Sequence, residues 1–228
     1  MRAVHQPLLA LQPLTSLPPE QRRLVADLDH YQHVIFISTN AVRFGLDCFD
    51  DNWPQLPVGI NWYAIGDATR QGLAARGLAP QAPVQRMDSE GLLALPALSD
   101  LRGDRVLIVK GEGGRQALRD ALADRGAQVD ELHCYRRVCP ALPAGKLAEI
   151  LLEQQVGTIM ISSGEGLANM LTLLSERETT KFRDIALIVP SSRVAAIAQR
   201  AGFSDITTAE NAGDVAMLQA LLNRRSGE

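Results

Sequence analysis

The sequence predicts an α/β protein built on parallel sheets covered on both faces. Short apolar, β-branched runs alternate with amphipathic segments of helical spacing along the whole chain. The turns between them are short, and several of the helical segments stop at a glycine: Gly77, Gly126 and Gly202. At 228 residues the chain exceeds one typical domain of roughly 100–200 residues, so two such units are expected.

Each element follows from its local pattern. Residues 7–14 are apolar but broken by Pro13, which suits an extended strand better than a signal peptide. A buried strand at 34–37 leads into a helix at 41–49. A strand at 62–65 leads into a helix at 68–76. A helix at 89–98 is expected, with Ser89 as its N-cap. The pattern continues as a strand at 106–109, a helix at 115–125, a longer strand at 129–138 and a helix at 147–154. It ends with strands at 158–161 and 185–189, each followed by a helix (167–174 and 194–201), and a last helix at 215–222.

Composition excludes several classes. Hydrophobic residues make up 46% of the chain and charged residues 21%, which suits a packed globular protein. The formal net charge of −3 gives no general attraction for polyanions, so nucleic acid is not an expected partner and an anionic ligand needs local donors. No apolar run approaches the roughly 20 residues of a membrane span. Cys48, Cys134 and Cys139 are too few and too irregular for a disulfide framework, which points to a reduced, cytoplasmic setting. His5, His30, His33 and His133 show no metal-ligand spacing with them, and His30 and His33, just before a strand, are expected at the surface.

The chain also echoes itself. Phe36–Val42 (Phe-Ile-Ser-Thr-Asn-Ala-Val) resembles Met160–Leu167 (Met-Ile-Ser-Ser-Gly-Glu-Gly-Leu): each is a strand ending in hydroxyl residues before a helix. Gly66-Asp67-Ala68-Thr69-Arg70 is echoed by Pro190-Ser191-Ser192-Arg193. The step is 125 residues from Ser38 to Ser163 and 123 from Thr69 to Ser192, which points to an internal duplication.

No nucleotide fingerprint is complete. Gly111-Glu112-Gly113-Gly114-Arg115 comes near a dinucleotide loop, but Gln116 stands where a third glycine belongs. A Walker loop and a nucleophile elbow are also missing. What the sequence offers is a set of helix-opening loops: Ser38-Thr39-Asn40, Gly66 to Thr69, Gly111 to Gly114, Ser162-Ser163-Gly164 and Ser191-Ser192. Ligands of open parallel sheets sit beyond the carboxyl ends of the strands, and free N–H groups at helix starts suit carboxylates or phosphates. Arg43, Arg70, Lys110, Arg115 and Arg193 lie in or just after these loops and add positive charge. Any one loop reads equally well as plain N-capping; five together favour a shared anion site. Tyr135, in a strand that ends at Pro140, reads by itself as an ordinary strand aromatic.

These segments together resemble the uroporphyrinogen-III synthase family, and within it the pseudomonad-like bacterial members. The resemblance covers essentially the whole chain. It is carried by the strand end at 36–42, the 66–69 turn, the 110–115 glycine loop, the 129–135 strand with its tyrosine, Ser162–Ser163 and the 190–193 loop. It implies two flavodoxin-like parallel-sheet domains joined by a two-stranded ladder. One would span residues 13–138; the other would combine 1–12 with 139–228, with linker strands near 6–13 and 133–140. The implied reaction cyclises hydroxymethylbilane, which carries eight carboxylates, with inversion of ring D and loss of water. It uses no cofactor, and the implied enzyme is a monomer acting on a small molecule, with no nucleic acid or membrane.

By the same resemblance Tyr135 matches the family's tyrosine near the departing hydroxyl; a phenol is protonated at neutral pH and can donate. Ser38, Thr69, Ser163 and Ser192 match hydroxyl positions lining the substrate cleft. Thr39, Lys110, Gly111, Gly113, Arg115, Ser191 and Arg193 join the candidate binding set through their loop positions. The competing reading is a non-catalytic two-domain binder of a small polyanion. A complete duplication would also place a strand and helix upstream of Met1, matching the unit at 106–138; only residues 8–13 align, with 133–138. The chain as written is therefore expected to lack that strand and helix, leaving the second sheet without a central strand.

Overall fold

The computed structural model describes residues 2–114 and 116–226. In chain order the elements are β1 (Ala10–Pro13), α1 (Pro19–Ala26), β2 (His33–Phe36), α2 (Thr39–Asp50), β3 (Asn61–Ala64), α3 (Asp67–Ala74), α4 (Ser89–Leu93), β4 (Arg105–Gly111), α5 (Ala117–Asp124), β5 (Gln128–Val138), α6 (Lys146–Glu153), β6 (Thr158–Met160), α7 (Gly164–Leu173), α8 (Glu176–Phe182), β7 (Ala186–Val189), α9 (Ser192–Arg200), β8 (Ile206–Thr208) and α10 (Asp214–Ser226). The chain divides into two compact units, Leu11–Arg137 and a discontinuous one made of Met1–Ala10 and Val138–Glu228. Both are α/β with parallel sheets, as the alternation of patterns predicts.

The middle unit holds a sheet of order β1-β5-β4-β2-β3, in which β2 runs parallel to both β3 and β4, and β4 parallel to β5. A strand with parallel neighbours and helices on both faces has no solvated side, so it is mostly apolar. All four residues of β2 are accordingly buried. Phe36, Trp62, Leu107, Val109 and Leu132 pack on one face with Leu46 and Phe49 of α2. Ile35, Tyr63, Val106 and Ile108 pack on the other with Leu92, Leu118 and Leu122. Helix α2 lies very close to the sheet: a Cβ on Gly45 would sit 2.4 Å from Val109 Cγ1, so no larger residue fits without displacing the helix.

The discontinuous unit holds the parallel sheet β6-β7-β8. Central β7 is fully buried. Leu187 and Val189 pack on one side with Leu147, Leu151, Leu167, Met170, Val194 and Ala198; Ile188 packs on the other with Met217, Ala220 and Leu221 of α10. Among the described residues strand β6 pairs with β7 alone, and Met160 is 42% exposed. A cavity of about 870 Å³ adjoins it, lined by Val4, Leu8, Leu151, Ile159, Met160 and Met170 among others.

The duplication is visible in the helix starts, and its step is constant. Ser38 and Ser163, the N-caps of α2 and α7, are 125 residues apart, and so are Gly66 and Ser191, the N-caps of α3 and α9. The glycines that end α3 and α9, Gly77 and Gly202, keep the same spacing at φ values of 81° and 96°. The expected pairing of Thr69 with Ser192 is thereby corrected. At a step of 125, Thr69 corresponds to Val194, because the cap rather than the first hydroxyl marks where each helix begins.

Other differences have local causes. The helix expected at 89–98 is two pieces: α4, capped by Asp88 through Gly91 N–H at 2.9 Å, and a 3₁₀ turn at Pro96–Leu98. Pro96 has no N–H to continue the first helix. Helices α1 and α8 escape the apolar pattern because each buries a single residue; α8 is fixed instead by a capping box between Ser175 and Glu178. His33 is not at the surface. It lies within β2, 6% exposed, with Nδ1 3.1 Å from the Tyr63 hydroxyl and Nε2 3.0 Å from Asp104, so both ring nitrogens are satisfied.

Candidate functional site

In both units the hydroxyl-rich loops follow the carboxyl ends of parallel strands. In the middle unit the chain leaves β2 at Ser38, whose Oγ accepts a hydrogen bond from Ala41 N–H at 3.0 Å and caps α2. Thr39 is the first residue of that helix and is exposed. After β3, Gly66 opens α3. Arg70 donates to Asp67 from Nε at 2.9 Å and from Nη2 at 2.6 Å, and Gln71 donates to the same carboxylate. The bonds from Arg70 hold the Asp67 carboxyl below the usual range and engage the Arg70 charge locally. Thr69 is buried in the first turn of α3. After β4 the chain passes through Gly113 and Gly114 at φ 74° and 89°, a consecutive left-handed pair that glycine adopts without strain. Arg115 lies outside the described residues.

Tyr135 reaches these loops through a β-bulge. Lys110 pairs with His133, but the next residue, Gly111, pairs with Tyr135, so Cys134 is passed over. In a regular strand neighbouring residues face opposite sides; the extra residue lets Cys134 and Tyr135 face the same core. The Tyr135 ring packs 5.3 Å from Phe44, centroid to centroid. On the Gly111 side there is room for hydrogen only: a Cβ there would lie 2.7 Å from two ring carbons. The phenol oxygen is 3.3 Å from Ser38 Oγ. The structure thus brings together Ser38, Gly111 and Tyr135, along with Phe44, which sequence reasoning missed. No local pattern marks Phe44, since its role depends on where the bulge places the ring.

Lys110 is placed differently. Its side chain points to the face opposite Val109, is 4% exposed, and its Nζ is 2.9 Å from Glu131 Oε1. The other oxygen of Glu131 is 3.6 Å from His133 Nε2. Lys110 is therefore held in an ion pair between adjacent strands. Burial pushes the Cys134 thiol up to about 12 and the Cys48 thiol up to about 11, so neither is a ready thiolate nucleophile at neutral pH.

In the discontinuous unit Ser163 repeats the geometry of Ser38, accepting from Gly166 N–H at 3.0 Å and capping α7. Ser191 stands at the N-cap of α9 but makes no capping bond with its side chain, and Ser192 is exposed at the first helical position. The Arg193 guanidinium lies 3.5 Å from where a Cβ on Gly164 would be, so the 162–164 and 191–193 loops adjoin. Two helix N-termini, an unengaged serine and an exposed guanidinium are gathered there, which suits a carboxylate. Among the described residues no group of His, Cys, Asp and Glu is arranged to hold a metal, and no helix is long and apolar enough to cross a membrane.

Comparison with known proteins agrees with this layout. Residues 1–219 match the family model described as Uroporphyrinogen-III synthase HemD. The chain is 34% identical over 225 residues to the uroporphyrinogen-III synthase of Escherichia coli (strain K12), covering 96% of this chain and 89% of that one. It is 36% identical over 211 residues to the Salmonella typhimurium protein of the same name, covering 90% and 84%. The crystal structure of uroporphyrinogen-III synthetase from Helicobacter pylori shares the fold, with a TM-score of 0.59 at 16% identity over 96% of this chain and 91% of that one. A mutant uroporphyrinogen III synthase from Thermus thermophilus gives a TM-score of 0.52 at 21% identity, covering 97% and 88%. With strand-end donor loops in both units and a sequence match along nearly its whole length, this chain belongs to the uroporphyrinogen-III synthase family.

Proposed function

We propose that this chain catalyses the reaction for which its family is named, closing hydroxymethylbilane to uroporphyrinogen III with inversion of ring D and loss of water. The observation that carries this reading is the Tyr135 phenol, opposite the last residue of β4 and turned by a bulge to the face on which Ser38 lies. The substrate's carboxylates call for many donors without a strongly basic surface. Each unit by itself carries such donors: hydroxyls and N–H groups at helix starts in both, and the Arg193 guanidinium in the discontinuous one. The reaction involves no net redox change: a hydroxyl leaves, and a carbon–carbon bond forms. Holding the chain so that inverted closure outruns direct closure is then the main task, with one acid to help the hydroxyl depart. A reduced cytoplasmic setting and a monomer suit the three free thiols and the small soluble substrate.

The test is conversion of hydroxymethylbilane without added metal or nucleotide, with the isomers separated. The type III product is expected; type I alone, as in the enzyme-free control, overturns the proposal. Individual loops divide into binding and capping roles. Ser192→Ala should raise KM about 10-fold with turnover and melting temperature unchanged, because a hydrogen bond to a charged ligand is lost equally in ground and transition state. Ser163→Ala should instead lower stability by about 1 kcal/mol, the usual effect of losing an N-cap. Calorimetry and steady-state kinetics on both variants separate the two.

A further inference from the structure

We infer that Ser38 is a positioning residue for the Tyr135 phenol: its hydroxyl donates to the phenol oxygen, so the phenol's own proton points away from Ser38, toward the departing hydroxyl. The inference rests on the reading of Tyr135 as the acid and adds a second group to it. A serine hydroxyl has one hydrogen and two lone pairs. At Ser38 one lone pair already accepts from Ala41 N–H at 3.0 Å, and the phenol oxygen lies 3.3 Å from Oγ. If Tyr135 donated to Ser38, its proton would be held within the protein. With Ser38 donating, that proton is free for the substrate, and the phenolate left behind keeps a hydrogen bond and lies near the positive end of α2. The ring itself cannot swing aside, being packed between Phe44 and the bare Cα of Gly111.

The step balances. The carbon–oxygen bond of the hydroxymethyl group breaks, and its electron pair leaves with the oxygen. That oxygen takes the Tyr135 proton and departs as water, while the adjacent pyrrole nitrogen donates its lone pair to the vacated carbon. Inversion then forms a bond from that carbon to the ring D α carbon that already carries the bridge, and breaks that α carbon's bond to the bridging carbon. The bridging carbon bonds instead to the free α carbon of ring D, and the proton released there restores the phenol.

Ser38 also caps α2, so the experiment must separate the two roles. Ser38→Asp keeps a good cap but, ionised, has no hydrogen to donate; Ser38→Thr keeps both cap and donor; Ser38→Ala loses both. Each is made alone and with Tyr135→Phe, and turnover, KM and melting temperature are measured with hydroxymethylbilane. Ser38→Ala and Ser38→Asp should each lose about 10-fold in turnover with KM within about two-fold. Ser38→Asp should keep the parent melting temperature, and Ser38→Thr should restore most of the turnover lost in Ser38→Ala. In the Tyr135→Phe background neither Ser38→Ala nor Ser38→Asp should lose more. If Tyr135→Phe is slow but the Ser38 losses persist in full beside it, or appear in KM, Ser38 acts on the substrate and the inference fails while the role of Tyr135 stands. If Tyr135→Phe turns over like the parent, both fail.

Discussion

Tyr135→Phe should fold as the parent does and turn over hydroxymethylbilane about 100-fold more slowly, the low end of what a general acid contributes. Only the hydroxyl is removed. The ring keeps its packing against Phe44 and Gly111, so the core is not opened. Among the described residues the hydrogen bond lost is the 3.3 Å contact with Ser38, a stability effect of about 1 kcal/mol or less. Because the proton is transferred only as the carbon–oxygen bond breaks, the loss should fall on kcat and on kcat/KM alike, leaving KM nearly constant. Single-turnover kinetics check this directly. A parent-like rate would leave orientation of the linear tetrapyrrole as the source of the rate enhancement.

Lys110→Met should destabilise the middle unit by about 3 kcal/mol or more, the usual result of removing one partner of a buried ion pair. The ammonium and the Glu131 carboxylate are 4% and 13% exposed and 2.9 Å apart. Without Lys110, the basic side chain nearest the carboxylate among the described residues is the His133 ring, with Nε2 3.6 Å away. For a unit of this size the melting temperature should fall by roughly 10 °C. Replacing both partners with apolar residues, Lys110→Met with Glu131→Leu, should recover much of the loss, since no charge is then stranded. Thermal melts of the two single variants and the double variant measure the coupling. A Lys110→Met protein with parent stability and a raised KM would instead show that the lysine swings out to hold substrate carboxylates.

The sequence by itself determined the class of fold and the placement of most elements. Strands such as Val34 to Phe36 are apolar because they are buried on both faces, and helix ends at Gly77 and Gly202 need a residue that tolerates positive φ. Both are local requirements, so they leave local traces. The hydroxyl loops were legible on the same ground, and the structure sorts them: Ser38 and Ser163 cap their helices, while the Ser191 side chain does not. Only the tertiary structure decided the rest. His33 is buried because Tyr63 and Asp104, far along the chain, satisfy its two nitrogens. Lys110 sits in a loop-end motif yet is paired, because the β4–β5 register sets Glu131 beside it. Tyr135 faces Ser38 rather than the other side of the sheet because of one extra residue in β5. A strand's period of two tells which residues share a face only while the register is regular. A single bulge reverses that assignment, and it is fixed by pairing between strands rather than by the residues on either side.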